Sequence, residues 1–345
     1  MEGAQLSKCV LYTWGANSHG QLGQGHTEDQ AEPRRADGGL QAEQIRCMTG
    51  GGGHSAVITE SGDLLMCGQN HKGQLGLSHT SEVITFQLCP FPGCTRVQQV
   101  SCGWDFSVIL TGDDGQVLAC GSNAFGQLGV SPRITHSAEL TLNEPVTSVA
   151  AGLRHTLAST ASGCVYQWGT GLSSHAKRML NPQPVPAHLS SKEPCIVPGF
   201  DHVTSQKVVA GSTHCICLTV KGDVFLWGSN KHGQLVSESL FLRLWIDLSA
   251  GRILSGRVFT WGRANYGQLG QTNLSTQKES DIATRGRIFS WGWNEHGMCG
   301  DGSLCDVTQP RPIPHLRDAT ALLIGCGSGH SMALCSLKSN EDSAS

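Results

Sequence analysis

Charge is scarce in this chain: only 15% of its 345 residues are Asp, Glu, Lys or Arg. The 24 basic residues are balanced by 27 acidic ones and nowhere cluster beyond pairs such as Arg34-Arg35 and Lys177-Arg178. That leaves no electrostatic footprint for a nucleic-acid backbone or an anionic membrane, so neither is expected as a partner. No stretch approaches the roughly 18 apolar residues of a membrane span, and Met1 to Gly15 lacks the apolar core of a secretion signal. The expectation is a soluble cytoplasmic protein, with nuclear entry left open. A phosphate-binding G-x-x-x-x-G-K-[ST] string is absent, since Gly50 to Gly53 is followed by His54 rather than Lys and precedes a strand. No paired C-x-x-C signature exists either, and neither "HCIC" (214–217) nor "CPFPGC" (89–94) has the spacing of a tetrahedral zinc site. No metal and no cofactor are therefore expected. The 15 cysteines include several at apolar strand positions (Cys67, Cys120, Cys217, Cys335), where a thiol acts as a small buried hydrophobe and is expected to stay reduced.

What the chain has instead is glycine in a period. Seven aligned copies of one stretch place a Trp or Cys directly before Gly: Trp14, Cys67, Cys120, Trp168, Trp227, Trp261 and Trp291. The first four spacings are 53, 53, 48 and 59 residues, a period that points to a propeller or solenoid. An aliphatic residue stands three before each of these positions and an aromatic or Leu two before, which reads as a strand. Six copies carry a hairpin glycine five residues earlier, Gly62 and Gly115 among them. Downstream, Gly20, Gly73, Gly126, Gly233, Gly267 and Gly297 open turns mostly of the form Gly-Gln-Leu-Gly, with Leu as an apolar anchor. Trp14, Trp168, Trp227, Trp261 and Trp291 are accordingly read as architectural. Five further strands begin Gly-x-x-His or nearly so: "GGGHSAVIT", "GWDFSVILT", "GLRHTLAST", "GSTHCICLT" and "GSGHSMALC".

The first hairpin has no Gly-x-x-His strand before it, and the last such strand has no hairpin after it. Joined, "HSMALC" and "VLYTWG" would complete one unit, so the termini are expected to pair and close a ring, hiding its sheet edges. The predicted domain is 1–337, with 338–345 a disordered tail. The intervals Trp227 to Trp261 and Trp261 to Trp291 are only 34 and 30 residues long and hold no Gly-x-x-His strand. Blades five and six are therefore expected to be thin, although the alternation in 240–248 makes a substitute strand conceivable. A six-bladed rearrangement stays open. Residues 171–207, with five prolines in place of the fourth Gly-Gln-Leu-Gly, are expected to form a long irregular loop.

These repeats resemble the regulator of chromosome condensation repeat family. The resemblance implies an all-β fold, a seven-bladed β-propeller of four-stranded blades, here with irregular or truncated fifth and sixth blades. It also implies action by protein binding, as a guanine nucleotide exchange factor for a small GTPase and a regulator of secretion, with no covalent catalysis. The alternative is a non-catalytic scaffold in trafficking, and a monomer with a small GTPase or secretory-machinery partner is expected in either case. In that family, polar residues in the Gly-x-x-His loops matter, and the matching third positions here are Gly53, Asp105, Arg154, Thr213 and Gly329. Candidate GTPase-facing residues are Asp105, Arg154, His155, His214 and His330, with stapling of the blades the competing reading for the histidines. Arg154, a long cation where other copies carry smaller residues, is the strongest of them. The scarcity of carboxylates at equivalent repeat positions argues against a glycosidase-like pair.

Overall fold

The computed structural model describes residues 8–36, 38–91, 93–94, 96–112, 114–130, 138–140, 142–235, 241–245, 258–263, 265–270, 278–280 and 286–337. Among these, seven antiparallel sheets follow in chain order, five of four strands and two of two. Blade one is Ile45–Gly50, His54–Thr59, Leu64–Gly68 and Val83–Leu88; blade two is Val97–Cys102, Phe106–Thr111, Val117–Gly121 and Ala138–Leu140. Blade three is Val146–Ala151, Thr156–Thr160, Val165–Trp168 and Cys195–Ile196; blade four is Ser205–Ala210, His214–Thr219, Asp223–Gly228 and Phe241–Trp245. Blade five pairs Val258–Thr260 with Lys278–Ser280, and blade six pairs Phe289–Gly292 with Val307–Pro312. Blade seven joins the two ends of the chain. Ala319–Cys326 and His330–Leu337 continue into Lys8–Gly15, paired residue by residue from Lys8 with Leu337 to Gly15 with His330, and then into Gln30–Arg35.

The repeated Trp-Gly and Gly-Gln-Leu-Gly stretches meet at the seams between blades. The Gln127 carbonyl of blade two accepts the Trp168 indole N–H at 2.9 Å and the Thr156 hydroxyl at 2.7 Å, both from blade three. Gln21 and Gln74 carbonyls do the same for Ser55 and Ser107 hydroxyls, at 2.7 Å each, and for the thiols of Cys67 and Cys120. Trp261, Trp291 and Trp14 donate to the carbonyls of Gln234, Gln268 and Met298 at 2.8 to 3.0 Å. Between blades three and four, where no Gly-Gln-Leu-Gly exists, the Gln167 side chain substitutes: its Oε1 accepts from Trp227 at 2.7 Å. Each sheet is thus bonded to the next and the last to the first. Seven sheets form one closed ring.

Glycine after the Trp or Cys is obligatory here. Gly68 and Gly121 hold φ of 105° and 110°, and a Cβ would come within 2.4 Å of the Gly53 carbonyl oxygen and 2.6 Å of that of Asp105. Leu22, Leu75, Leu128 and Leu235 are fully buried under the turns. Apolar side chains fill the space between complete blades, as where Val108 and Leu110 of blade two pack with Val149, Ala158 and Trp168 of blade three.

The short intervals coincide with the two-stranded sheets, which are the fifth and sixth blades when the closing blade is counted last. Counted by hairpins they are the sixth and seventh, and the Trp227 hairpin sits in a complete blade. Part of the alternating stretch in which a substitute strand was conceivable, Phe241–Trp245, pairs with Asp223–Gly228 as the outer strand of blade four. The outer position requires only a free edge on the existing hairpin, which Asp223–Gly228 supplies. Residues 171–207 are less irregular than expected, because they contain the helix Ser173–Leu180 with Ala176 buried against blade three. The tail 338–345 lies outside the described residues.

Where blades are complete, His54–Thr59 and Phe106–Thr111 are buried at every position. Next to blade five, the corresponding strand of blade four leaves His214, Ile216 and Leu218 half-buried. On the other side of the thin arc, Leu322 and Ile324 are 50% and 68% exposed. Both follow from the same cause, since among the described residues blades five and six have no inner strands to cover these faces.

Candidate functional site

Five Gly-x-x-His loops lie on one face of the ring. In each, the first Gly N–H donates to the carbonyl of the fourth residue at 2.8 to 2.9 Å (Gly51 to His54, Gly103 to Phe106, Gly152 to His155, Gly211 to His214, Gly327 to His330). The third residue turns its carbonyl inward to the hairpin of its own blade, as Asp105 does to the Ser122 N–H at 3.0 Å. Neighbouring loops are tied as well. The Ser328 N–H donates to the Gly51 carbonyl, Gly52 to Gly103 and Leu153 to Ser212. The result, among the described residues, is an arc of loops over blades seven, one, two, three and four, interrupted at the thin blades.

The histidines sit beneath this arc. His54 Nε2 lies 2.9 Å from Ser107 Oγ, and His330 Nε2 lies 2.7 Å from Ser55 Oγ. Since each hydroxyl hydrogen is committed to a Gln carbonyl, the imidazole Nε2–H is the donor. The residue after each motif position therefore matters as much as the histidine. Its signal was present in the sequence as the recurring Ser or Thr of Ser55, Ser107, Thr156 and Ser331. Burial holds His54 down to about 3, and His155 and His330 down to about 4, so all three are neutral at pH 7. For His54 the nearby His330 adds to the effect.

These positions correct part of the expected partner surface. His155 and His330 are 0% and 1% exposed and cannot touch a docked protein. His214 is half-buried and its pKa is lowered by desolvation. Asp105 is half-buried, while Arg154 is exposed with its guanidinium 4.2 Å above the Phe125 ring. The sequence reading passed over Trp104, which is 47% exposed in the second position of its loop. A basic recess was not legible there either. His175, Arg178, Met179, Ser229, Asn230 and Lys231 line a cavity of about 540 Å³ between the helix Ser173–Leu180 and the blade four loops. The arc carries an exposed aromatic, an exposed arginine and a flanking basic cavity.

Residues 10–333 match the family model described as RCC1-like domain. The chain is 46% identical to the secretion-regulating guanine nucleotide exchange factor of Bos taurus, over 95% of this chain and 83% of that protein. That alignment runs over 390 positions, more than the 345 residues here, so the relative carries residues that this chain lacks. Among solved structures, Prp20p from Saccharomyces cerevisiae, described for its binding properties to Gsp1p and histones, superposes with a TM-score of 0.78 at 20% identity, over 98% of this chain and 94% of that one. Human WBSCR16 superposes with a TM-score of 0.76 at 22% identity, over 95% and 99%. At such identities these two structures speak for the fold.

Proposed function

The chain belongs to the RCC1-like domain family, and from that premise we propose that it is a guanine nucleotide exchange factor-like regulator of secretion that binds a small GTPase through the Gly-x-x-His arc. The observation that carries this reading is the arc itself: hydrogen-bonded, linked loops that present Trp104 and Arg154 to solvent, in a chain 46% identical to a protein of that name. Trp and Arg are the residue types that most often anchor protein interfaces. An exchange factor needs no covalent chemistry. It binds the nucleotide-free GTPase more tightly than the loaded one, and by linkage lowers nucleotide affinity by the same factor.

The non-catalytic reading has its own support, because Asp105 is the only carboxylate at the third positions of the arc and two blades contribute no loop to it among the described residues. The two readings separate in a binding experiment. Immobilised protein is offered a panel of small GTPases, each either stripped of nucleotide or loaded with GDP. The proposed function requires tighter capture of a stripped GTPase, weakened by Arg154→Glu and by Trp104→Ala. Equal capture of both forms would establish the scaffold, and capture of none would overturn GTPase binding altogether.

A further inference from the structure

Three side chains far apart in sequence meet at the seam between blades seven and one. His19 belongs to the turn after Lys8–Gly15, His71 to the turn after Leu64–Gly68, and Glu82 immediately precedes the strand Val83–Leu88. Their ligand-capable atoms all lie within 4.8 Å of one another. His19 Nδ1 is 2.5 Å from Glu82 Oε1, and His71 Nε2 is 3.8 Å from the same oxygen. The two imidazoles stand edge to face with ring centroids 5.5 Å apart.

The backbone under these side chains is fixed. The N–H groups of His19 and Lys72 donate to Gln21 and Gln74 side chains at 2.9 Å, and Asn70 Nδ2 ties the segment before Glu82 through the His79 carbonyl at 2.7 Å. Gly20 packs directly on Ile84, which brings His19 over Glu82.

A second seam shows what an ordinary latch looks like. His296 Nδ1 meets Asp29 Oδ2 at 2.9 Å in the equivalent place between blades six and seven, but there Asp29 Oδ1 accepts the Asn17 N–H at 2.7 Å. That carboxylate is satisfied by the fold. At the His19 seam, two histidines converge on a single oxygen, and among the described residues Glu82 Oε2 takes no protein hydrogen bond.

We propose that His19 Nδ1, His71 Nε2 and the Glu82 carboxylate form a binding site for a divalent transition metal, with Zn²⁺ the fitting ion. Two nitrogens and one carboxylate suit zinc, whereas calcium and magnesium favour all-oxygen shells. Ligand bonds of about 2.0–2.2 Å require the three atoms to draw in slightly on a common centre, which partly exposed side chains can do by rotation. The fourth position would face solvent beside Gly53, whose Cβ site lies 2.9 Å from His19 Cδ2, and so would open onto the Gly-x-x-His arc. A bound ion would clamp the turn of the closing blade to blade one. The site does not depend on the proposed GTPase binding.

The test is calorimetric titration of the full-length protein with Zn²⁺, paired with Co²⁺ absorption spectroscopy. One equivalent of Zn²⁺ should bind and raise Tm, and Co²⁺ should give d–d bands without thiolate charge transfer. His71→Ala keeps the His19–Glu82 pair and the fold, and should weaken binding by at least about 100-fold. Replacement of the exposed Cys305 and Cys326 by Ser should change nothing. Absence of binding to the wild type, undiminished binding by His71→Ala, or a thiolate charge-transfer band lost in the cysteine variant would each overturn the proposal.

Discussion

Among the described residues, blades one to four and seven hold four strands each and blades five and six two, yet both groups keep a Trp-to-carbonyl seam bond. Trp168 donates to Gln127 at 2.9 Å in the complete arc, and Trp291 to Gln268 at 3.0 Å in the thin one. They differ in what surrounds that bond. The seam between complete blades two and three surrounds it with a broad packed layer of apolar residues, whereas among the described residues the cluster at the seam between blades four and five buries only Val224, Leu226 and Leu235. Closure of the ring and construction of the face are therefore separable. Outer hairpins close the ring, and inner strands carry the loops that would meet a partner.

The tryptophans should expose this difference most strongly. Trp168 is fully buried, and Trp168→Ala is expected to cost about 3–5 kcal/mol. Trp291 is half-buried, so Trp291→Ala should cost about 1–2 kcal/mol. Urea unfolding of both variants checks the ratio, and equal losses would mean that the thin arc packs as tightly as the complete one.

Acid should act on the complete arc. His54, His155 and His330 have folded pKa values of about 3, 4 and 4 against 6.5 when unfolded. The unfolded state thus binds more protons, and the contribution present above pH 6.5 is lost as pH falls towards 4. Each histidine should contribute a slope of about 1.4 kcal/mol per pH unit in that window. Thermal melts from pH 7 to pH 4 should show falling Tm, and His54→Phe, which copies the natural Phe106, should flatten the dependence.

The smallest effect comes at an unfinished seam. Among the described residues neither ring nitrogen of His155 has a hydrogen-bond partner, and the residue after His214, where the other seams carry Ser or Thr, is Cys215. Cys215→Ser should supply the acceptor and still reach Gln167 Oε1, now 3.8 Å from the thiol. A gain of about 1 kcal/mol is expected, and chemical denaturation would reveal it. A loss would show that the thiol's packing outweighs the missing bond.

Much of this architecture is written locally. A glycine that must hold positive φ and a Trp that must reach a carbonyl recur at fixed offsets, so hairpins and their turns can be read from spacing, and the half-units at the two ends announce blade seven. The short intervals likewise point to the two blades that, among the described residues, have no inner strands. What escapes is decided by exposure and by contacts across seams. Nothing in "GWDF" says that Trp104 faces water and Phe106 does not, and nothing in the motif says that His155 and His330 point away from it. His19, His71 and Glu82 are brought together only when blade seven closes on blade one. The run within 240–248 was legible as a strand but not as the outer edge of blade four, since alternation carries no information about which neighbour a strand will find.

We propose that the arc of loops acts on a small GTPase. The most direct test is the release of fluorescent GDP from a panel of small GTPases, measured with the wild-type protein, Asp105→Ala and Arg154→Glu, each shown to be folded by circular dichroism. Accelerated release from one GTPase, reduced in the variants, is the expected result. Unaltered release from every GTPase in the presence of folded wild-type protein would contradict it.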